Sequence, residues 1–162
     1  MYDDAHASGV AYPQPFATHA LALCRSAARY IRILSPDLDS DVFSTNDLTN
    51  ALSALARDTR QTEVRILVSD IGSLTRQTHR LLALARRLPS SVKLRVLQEH
   101  PDWSGATLVI RDHDGVLYKH SASNSDGFYE PDSRAATQRH LEQFDEFWRF
   151  GIEDPELRSM RL

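Results

Sequence analysis

An α/β fold, with a mixed, mostly parallel sheet flanked by helices, is the class this sequence predicts. Short β-branched runs, YIRIL at Tyr30–Leu34, VRILVS at Val64–Ser69 and VKLRVL at Val92–Leu97, alternate with stretches of helical character. A hairpin pattern, TLVIRDHDGVLYK, follows at Thr107–Lys119, which adds antiparallel pairing to parallel βαβ units. The chain has 162 residues, no internal repeat and no Pro-rich linker, which suits one domain around one core.

Each element has a local reason. Residues 1–14 carry Gly9 and Pro13 without periodicity and read as a flexible arm; the domain proper is expected over 15–162. Phe16–Arg29 is rich in Ala and Leu and reads as a helix. Ser35-Pro36 closes the first strand, and the loop PDLDSD follows. Ser44 and Asp47 form an S-x-x-D capping pair ahead of a helix over Leu48–Arg57. After the second strand, Gly72-Ser73 opens a helix that runs to Leu88, just before Pro89. Asp114-Gly115 supplies the residues a two-residue hairpin turn needs. Ser121–Gly127 reads as a loop, and a last helix is expected over Ser133–Phe150. Its Leu141, Phe144 and Trp148, with Phe147 beside them, form a core stripe, and Phe128 and Tyr129 are expected to pack against it.

Composition excludes several classes. The longest wholly apolar runs, such as Ala20–Cys24, are about five residues, far below the roughly 18 of a membrane span. The acidic start, MYDDAHASG, has no apolar core of a secretory signal. Cys24 is the only cysteine, so no intramolecular disulfide forms, and a cytoplasmic setting is the simplest expectation. Cys24 itself reads as a small core residue. There is no G-x-G-x-x-G, P-loop, H-E-x-x-H, cysteine pair or G-x-S-x-G, so no cofactor and no metal site is expected. Asp37, Asp39 and Asp41 open like a calcium loop, but Val42 and Leu48 stand where its glycine and glutamate belong.

The formal net charge of −3 hides an asymmetry: Arg57–Arg95 holds nine basic residues against three acidic ones, so that segment is +6 and the remainder −9. At 100° per residue, Leu74, Leu81, Ala85 and Leu88 share one stripe of the 74–88 helix, and Arg76, Arg80 and Arg87 the opposite one. His79 falls on the border. Arg76, His79, Arg80 and Arg87 are therefore the candidates for weak polyanion or nucleic-acid binding. The plainer readings are a solvated helix face and a histidine that satisfies a loop carbonyl.

The order strand, capped helix, VRILVSD, amphipathic helix, SSVKLRVL, hairpin, Phe-x-x-x-Trp helix resembles one half of the phospholipase-D-like fold over about Ala17–Ile152. It is most similar to a group of bacterial proteins of that fold with no assigned activity. Active members carry H-x-K-x4-D followed by G-S-x-x-N. Their histidine attacks phosphorus, and their lysine and serine hold the phosphate. With the aspartate placed on Asp112, the histidine position falls on Gly105 and the lysine position on Thr107. The G-S pair falls on Lys119 and His120, and the asparagine on Ser123, beside Asn124.

The resemblance thus implies the fold and argues against the usual chemistry, because Gly105 offers no nucleophile and Thr107 no cation. A site rebuilt from Asp112, Lys119 and His120 needs a register that brings them together, and alternation turns His113 to the other face. The expected role is a non-catalytic phospholipase-D-like pseudoenzyme acting as a binding module. The alternatives are a phosphodiesterase or nuclease with a non-standard site, and a basic-faced module for nucleic acid or anions. A single half also implies a homodimer, since an unpartnered half would expose an apolar face; the competing expectation is that residues 1–14 or the tail after Gly151 cover that face in a monomer.

Overall fold

The computed structural model describes residues 6–76, 78–122 and 126–158. Seven strands form one mixed sheet: β1 (Ala7–Ala11), β2 (Tyr30–Ser35), β3 (Glu63–Val68), β4 (Val92–Val96), β5 (Thr107–Arg111), β6 (Gly115–Lys119) and β7 (Asp126–Glu130). Their order is β1-β7-β6-β5-β2-β3-β4. Only β2–β3 and β3–β4 pair in parallel; the other four pairings are antiparallel. The sheet is mixed as expected, but antiparallel ladders outnumber parallel ones, because two strands escaped the sequence reading. One is β1, which lies inside the segment expected to be a flexible arm. The other is β7, whose first residues were assigned to the loop after the hairpin.

Strict alternation divides the core. On one face Ile31, Ile33, Val64, Ile66, Val68 and Val109 pack under α1 (Phe16–Ser26), α3 (Asn46–Asp58) and α5 (Arg80–Arg87). On the other, Leu34, Leu67, Leu108, Ile110 and Val116 pack under α6 (Arg134–Phe150) through Leu141, Phe144, Phe147 and Trp148. Phe128 joins this second layer, whereas Tyr129, one residue on, is turned through the sheet into the first. Cys24 is buried there as well, and burial pushes its thiol pKa up to about 12. No helix among the described residues is long and apolar enough to cross a membrane.

Four local expectations are corrected. The loop after β2 contains a short helix, α2 (Ser40–Phe43), and the cap of α3 falls on Thr45, not Ser44: Thr45 Oγ1 accepts the Leu48 amide at 3.2 Å. The expected 74–88 helix is two, α4 (Gly72–Arg76) and α5, with His79 as the N-cap of α5. The hairpin turn is not Asp114-Gly115. Arg111 pairs with Gly115, so the loop is 112–114, and the left-handed residue is Asp112 at φ 49°.

Asp112 gains from that backbone. Its carboxylate accepts the amides of Ala28 (2.9 Å), Arg29 (2.8 Å) and Tyr30 (2.9 Å), where α1 hands over to β2. Three charge-assisted hydrogen bonds thus fasten the hairpin tip to the start of the neighbouring strand. Arg111 adds a second tie, donating to Ser26, Asp114 and the Pro131 carbonyl.

The sheet edges are closed differently. β1 covers β7, with its register shifting between Ala7 and Val10. At the far edge Val96 and Ile152 exchange both backbone hydrogen bonds, at 2.8 and 2.9 Å. The helix α7 (Pro155–Arg158) follows.

The Asp112→Ala variant is expected to lose about 3 kcal/mol, since three amides lose a charged acceptor. Asp112→Asn, which keeps one acceptor and tolerates φ > 0, is expected to lose clearly less. Urea unfolding of both variants checks this; equal losses would show that the carboxylate does not hold these amides.

Candidate functional site

Where the strands end in the direction of β2, an open cleft of about 760 Å³ forms between Pro36, Ser69, His100, Trp103, Gly105 and Ala122. Its lining follows from topology. Pro36 succeeds β2, Ser69 succeeds β3 and His100 lies in the loop after β4. Gly105 enters β5 and Ala122 leaves β6, both at this same end because β5 runs opposite to its neighbours. The carboxyl ends of parallel strands are where open α/β sheets bind ligands.

Gly105 sits at φ +90°, and a Cβ there would stand 3.3 Å from the Ala122 nitrogen and 3.4 Å from its Cβ. A side chain at this position is therefore both strained and crowded. Thr107 is 3 % exposed and pairs directly with Lys119 across the hairpin. Lys119 is buried as well. Its Nζ donates to the carbonyls of Ser121 (2.9 Å) and Ala122 (3.5 Å) and lies 4.6 Å from the centre of the Tyr12 ring. Burial lowers its pKa, while Asp37 and Asp39 pull the other way. Burial and then the charge of Asp39 raise the pKa of Asp37. Asp39 accepts the Tyr12 hydroxyl at 3.0 Å. Lys119, Tyr12, Asp37 and Asp39 thus lie together at this end of the sheet, one cation in the field of two carboxylates.

The other anticipated residues are dispersed. Asp112 lies at the hairpin tip, roughly 15 Å along the strands from Lys119. His120 is exposed, its Nδ1 3.0 Å from the Tyr118 hydroxyl. The geometry does not bring Asp112, Lys119 and His120 together. Ser123 and Asn124 lie outside the described residues.

The basic candidates separate too. Arg76 is on α4, where its Nε donates to the Gly72 carbonyl, and Arg80 and Arg87 are on α5. Arg80 Nε donates to the Ser44 carbonyl at 3.2 Å. Arg87, the last residue of α5, is exposed. His79 is turned inward: its Nδ1 accepts the Leu81 amide at 3.0 Å and its Nε2 donates to the Leu38 carbonyl at 2.8 Å. Both ring nitrogens are thereby committed to the fold, as capping α5 and satisfying a loop carbonyl require.

Sequence reasoning did not single out His100. Its Nδ1 accepts the Asp102 amide at 3.1 Å, and its Nε2 stands 3.9 Å from Glu146 Oε2. His100, Asp102 and Glu146 are grouped closely enough to hold a cation. Yet a neutral ring that accepts at Nδ1 carries its proton on Nε2, the atom facing Glu146, which suits an imidazole–carboxylate pair better than a metal.

Residues 12–160 match the model of a family described as a domain of unknown function (DUF7931). The chain belongs to this family. No curated protein matches it. Among solved structures it is similar to Nuc from Salmonella typhimurium, a phospholipase D family member: 19% identity, TM-score 0.64, covering 93% of this chain and 99% of that one. NucT from Helicobacter pylori is similar at 11% identity and TM-score 0.66, covering 93% and 99%. TrmBL2, an archaeal chromatin protein whose structure shows a novel mode of DNA binding, matches at 13% identity and TM-score 0.62. That match covers 93% of this chain, which spans about half of TrmBL2, 53%. The DUF7931 chain therefore has a phospholipase-D-like α/β fold.

His79 gives this DUF7931 chain a pH dependence. Burial lowers its pKa, with the Leu38 bond and Asp37 opposing. The unfolded chain then binds the extra proton first, so stability falls as pH drops through and below the ordinary imidazole value of about 6.5. His140 and His19, likewise lowered by burial, act in the same direction. Unfolding midpoints in urea are expected to fall between pH 7.5 and 5.5, and less so in His79→Asn, which keeps a cap for α5. An unchanged pH slope in that variant would remove His79 from the account.

Proposed function

We propose that this chain is a non-catalytic phospholipase-D-like module that works by binding. Gly105 carries the reading. At the position of the family nucleophile the backbone has φ +90° and lies against Ala122, so a histidine is not merely missing but disfavoured by the local geometry. Thr107, at the lysine position, is sealed beneath the sheet end. Asp112, the motif residue that remains, is spent on three backbone amides. A cytoplasmic setting and a homodimer belong to the same reading. The exposed large apolar side chains among the described residues are Phe150 and Ile152, beside the β4 edge, and a second copy would cover them.

A second reading, a phosphodiesterase with a rearranged site, is favoured by one observation: Lys119 stands directly across from Thr107 and projects toward the cleft end. His100 then would be its nucleophile. The two readings separate in an assay of bis(p-nitrophenyl) phosphate and plasmid DNA, with and without divalent cations. No turnover is expected. Turnover abolished in both His100→Ala and Lys119→Met would overturn the non-catalytic reading. The double variant Gly105→His/Thr107→Lys is also expected to be inactive and less stable than the parent, given the strain at 105.

Light scattering on a sizing column at micromolar concentration is expected to give twice the 18.3 kDa chain mass. A monomer mass would refute the dimer.

A further inference from the structure

Away from the cleft, near the amino ends of β2, β3 and β4, three cations stand abreast. Arg32 pairs with Arg65 in register, and Arg65 with Lys93, so all three share the sheet face that carries α6. Two residues further along β2 and β3, Leu34 and Leu67 are buried under that helix. The basic row marks where the cover of α6 runs out: side-chain exposure climbs from 11% at Arg32 to 32% at Arg65 and 43% at Lys93. Like charges side by side on one sheet face repel, so such a row needs anions.

Glu63 answers part of the need. It accepts Arg65 Nε at 2.6 Å and Lys93 Nζ at 2.8 Å. Burial alone would raise the Glu63 carboxyl, but these two bonds outweigh it and hold its pKa below the usual range. Arg32 is answered only in part. Its Nε and Nη1 are buried without any hydrogen-bond partner, and the nearest carboxylate, Asp145 on α6, stays 3.8 Å from Nε and is 53% exposed. Burying a charged donor without an acceptor is strongly unfavourable. The surroundings are rigid: Arg32 lies over the Tyr30 ring at 5.0 Å, and Arg65 and Arg95 lie over Trp148 at 5.3 and 4.3 Å. Arg95 Nη1 also donates to the Trp148 carbonyl. Three cations against Glu63 and Asp145 leave the row one positive charge in excess.

We propose that the open end of this basic row is a phosphoryl-binding site, with Lys93 and Arg65 at its entrance and Arg32, whose Nε and Nη1 are buried, as the donor behind them. A phosphoryl group offers several oxygens to the fork of a guanidinium, and the rise in exposure toward Lys93 gives it a route in. The group could come as a free phosphate or as the backbone of a single nucleic-acid strand. The site is separate from the cleft, so it stands or falls whether or not the chain cleaves phosphodiesters.

The test uses the whole chain. The thermal midpoint is followed in sodium phosphate and in sodium chloride at matched ionic strength. Binding of inorganic phosphate, a labelled single-stranded oligothymidylate and a polyglutamate peptide is titrated alongside. Phosphate is expected to raise the midpoint above chloride, and Arg32→Met to abolish that rise while matching the parent in chloride, since a buried unsatisfied charge has been removed. Arg25→Ala, on the opposite side of the sheet, is expected to respond like the parent. Should Arg32→Met fail to fold, Arg65→Gln serves instead, with a loss of phosphate affinity of at least fivefold expected. Oligothymidylate binding at least tenfold tighter than phosphate, and lost in Arg32→Met, assigns the strand as the source; phosphate binding alone assigns the free anion. No phosphate-specific rise in the parent, a rise unchanged in the variants, or polyglutamate binding as tightly as the oligonucleotide would overturn the proposal.

Discussion

The seam between β2 and β5 is the constraint on which the molecule depends. On one side lie the parallel strands β2, β3 and β4, with helical crossovers; on the other lies an antiparallel meander of β5, β6 and β7 closed by β1. Within the sheet the two halves meet through one antiparallel ladder, Ile31 to Leu34 against Leu108 to Arg111. Backbone hydrogen bonds alone would fix its direction but not strongly its register. The apolar alternation fixes the faces. The Asp112 carboxylate fixes the end, because it can reach the amides of residues 28–30 only in this alignment. The cleft inherits its shape from the seam, since its walls are loops from both halves.

That view changes what an aspartate at the end of a strand means. An aspartate kept at the end of a strand invites a catalytic reading. Here the same carboxylate is occupied by three backbone donors at the end of the hairpin remote from the cleft, and it makes the fold. Gly105 and Thr107 are at the cleft end of the same hairpin. The fastening of the fold and the cleft thus occupy opposite ends of one hairpin.

The fold was legible wherever burial imposes a period. β2 to β6 and the Leu141–Trp148 stripe of α6 each bury one face or both, and their apolar spacing says so. What escaped was decided by contacts distant in sequence. ASGVA, which becomes β1, is too rich in Gly and Ala to announce a strand and is one because β7 pairs with it; DGFYE, which becomes β7, opens on Asp-Gly next to a Ser/Asn-rich stretch and takes its place by pairing with β6 and β1. The 74–88 helix kept its period on paper, but the Leu38 carbonyl draws His79 inward, and a capping histidine ends one helix and starts the next. The row at Arg32, Arg65 and Lys93 left a trace: a cation at alternate positions in three successive strands. Only the register, set by the parallel pairing, could align them on one face. That position 105 lacks a side chain was readable; that its backbone and Ala122 crowd any side chain there was not.

The closure of the sheet edges carries one more implication. An exposed strand edge is a template for another chain, and proteins blunt such edges with irregular register, charge or a covering segment. This fold uses all three: β1 over β7 with its register shift, Lys93 on β4, and the 151–153 segment bonded to Val96. Trimming residues through Ala11 would uncover Gly127–Tyr129, and cutting after Phe150 would free Val96. Either truncation would turn a self-contained sheet into one that can grow by strand addition, so the hazard of shortening this domain is polymerisation before it is unfolding.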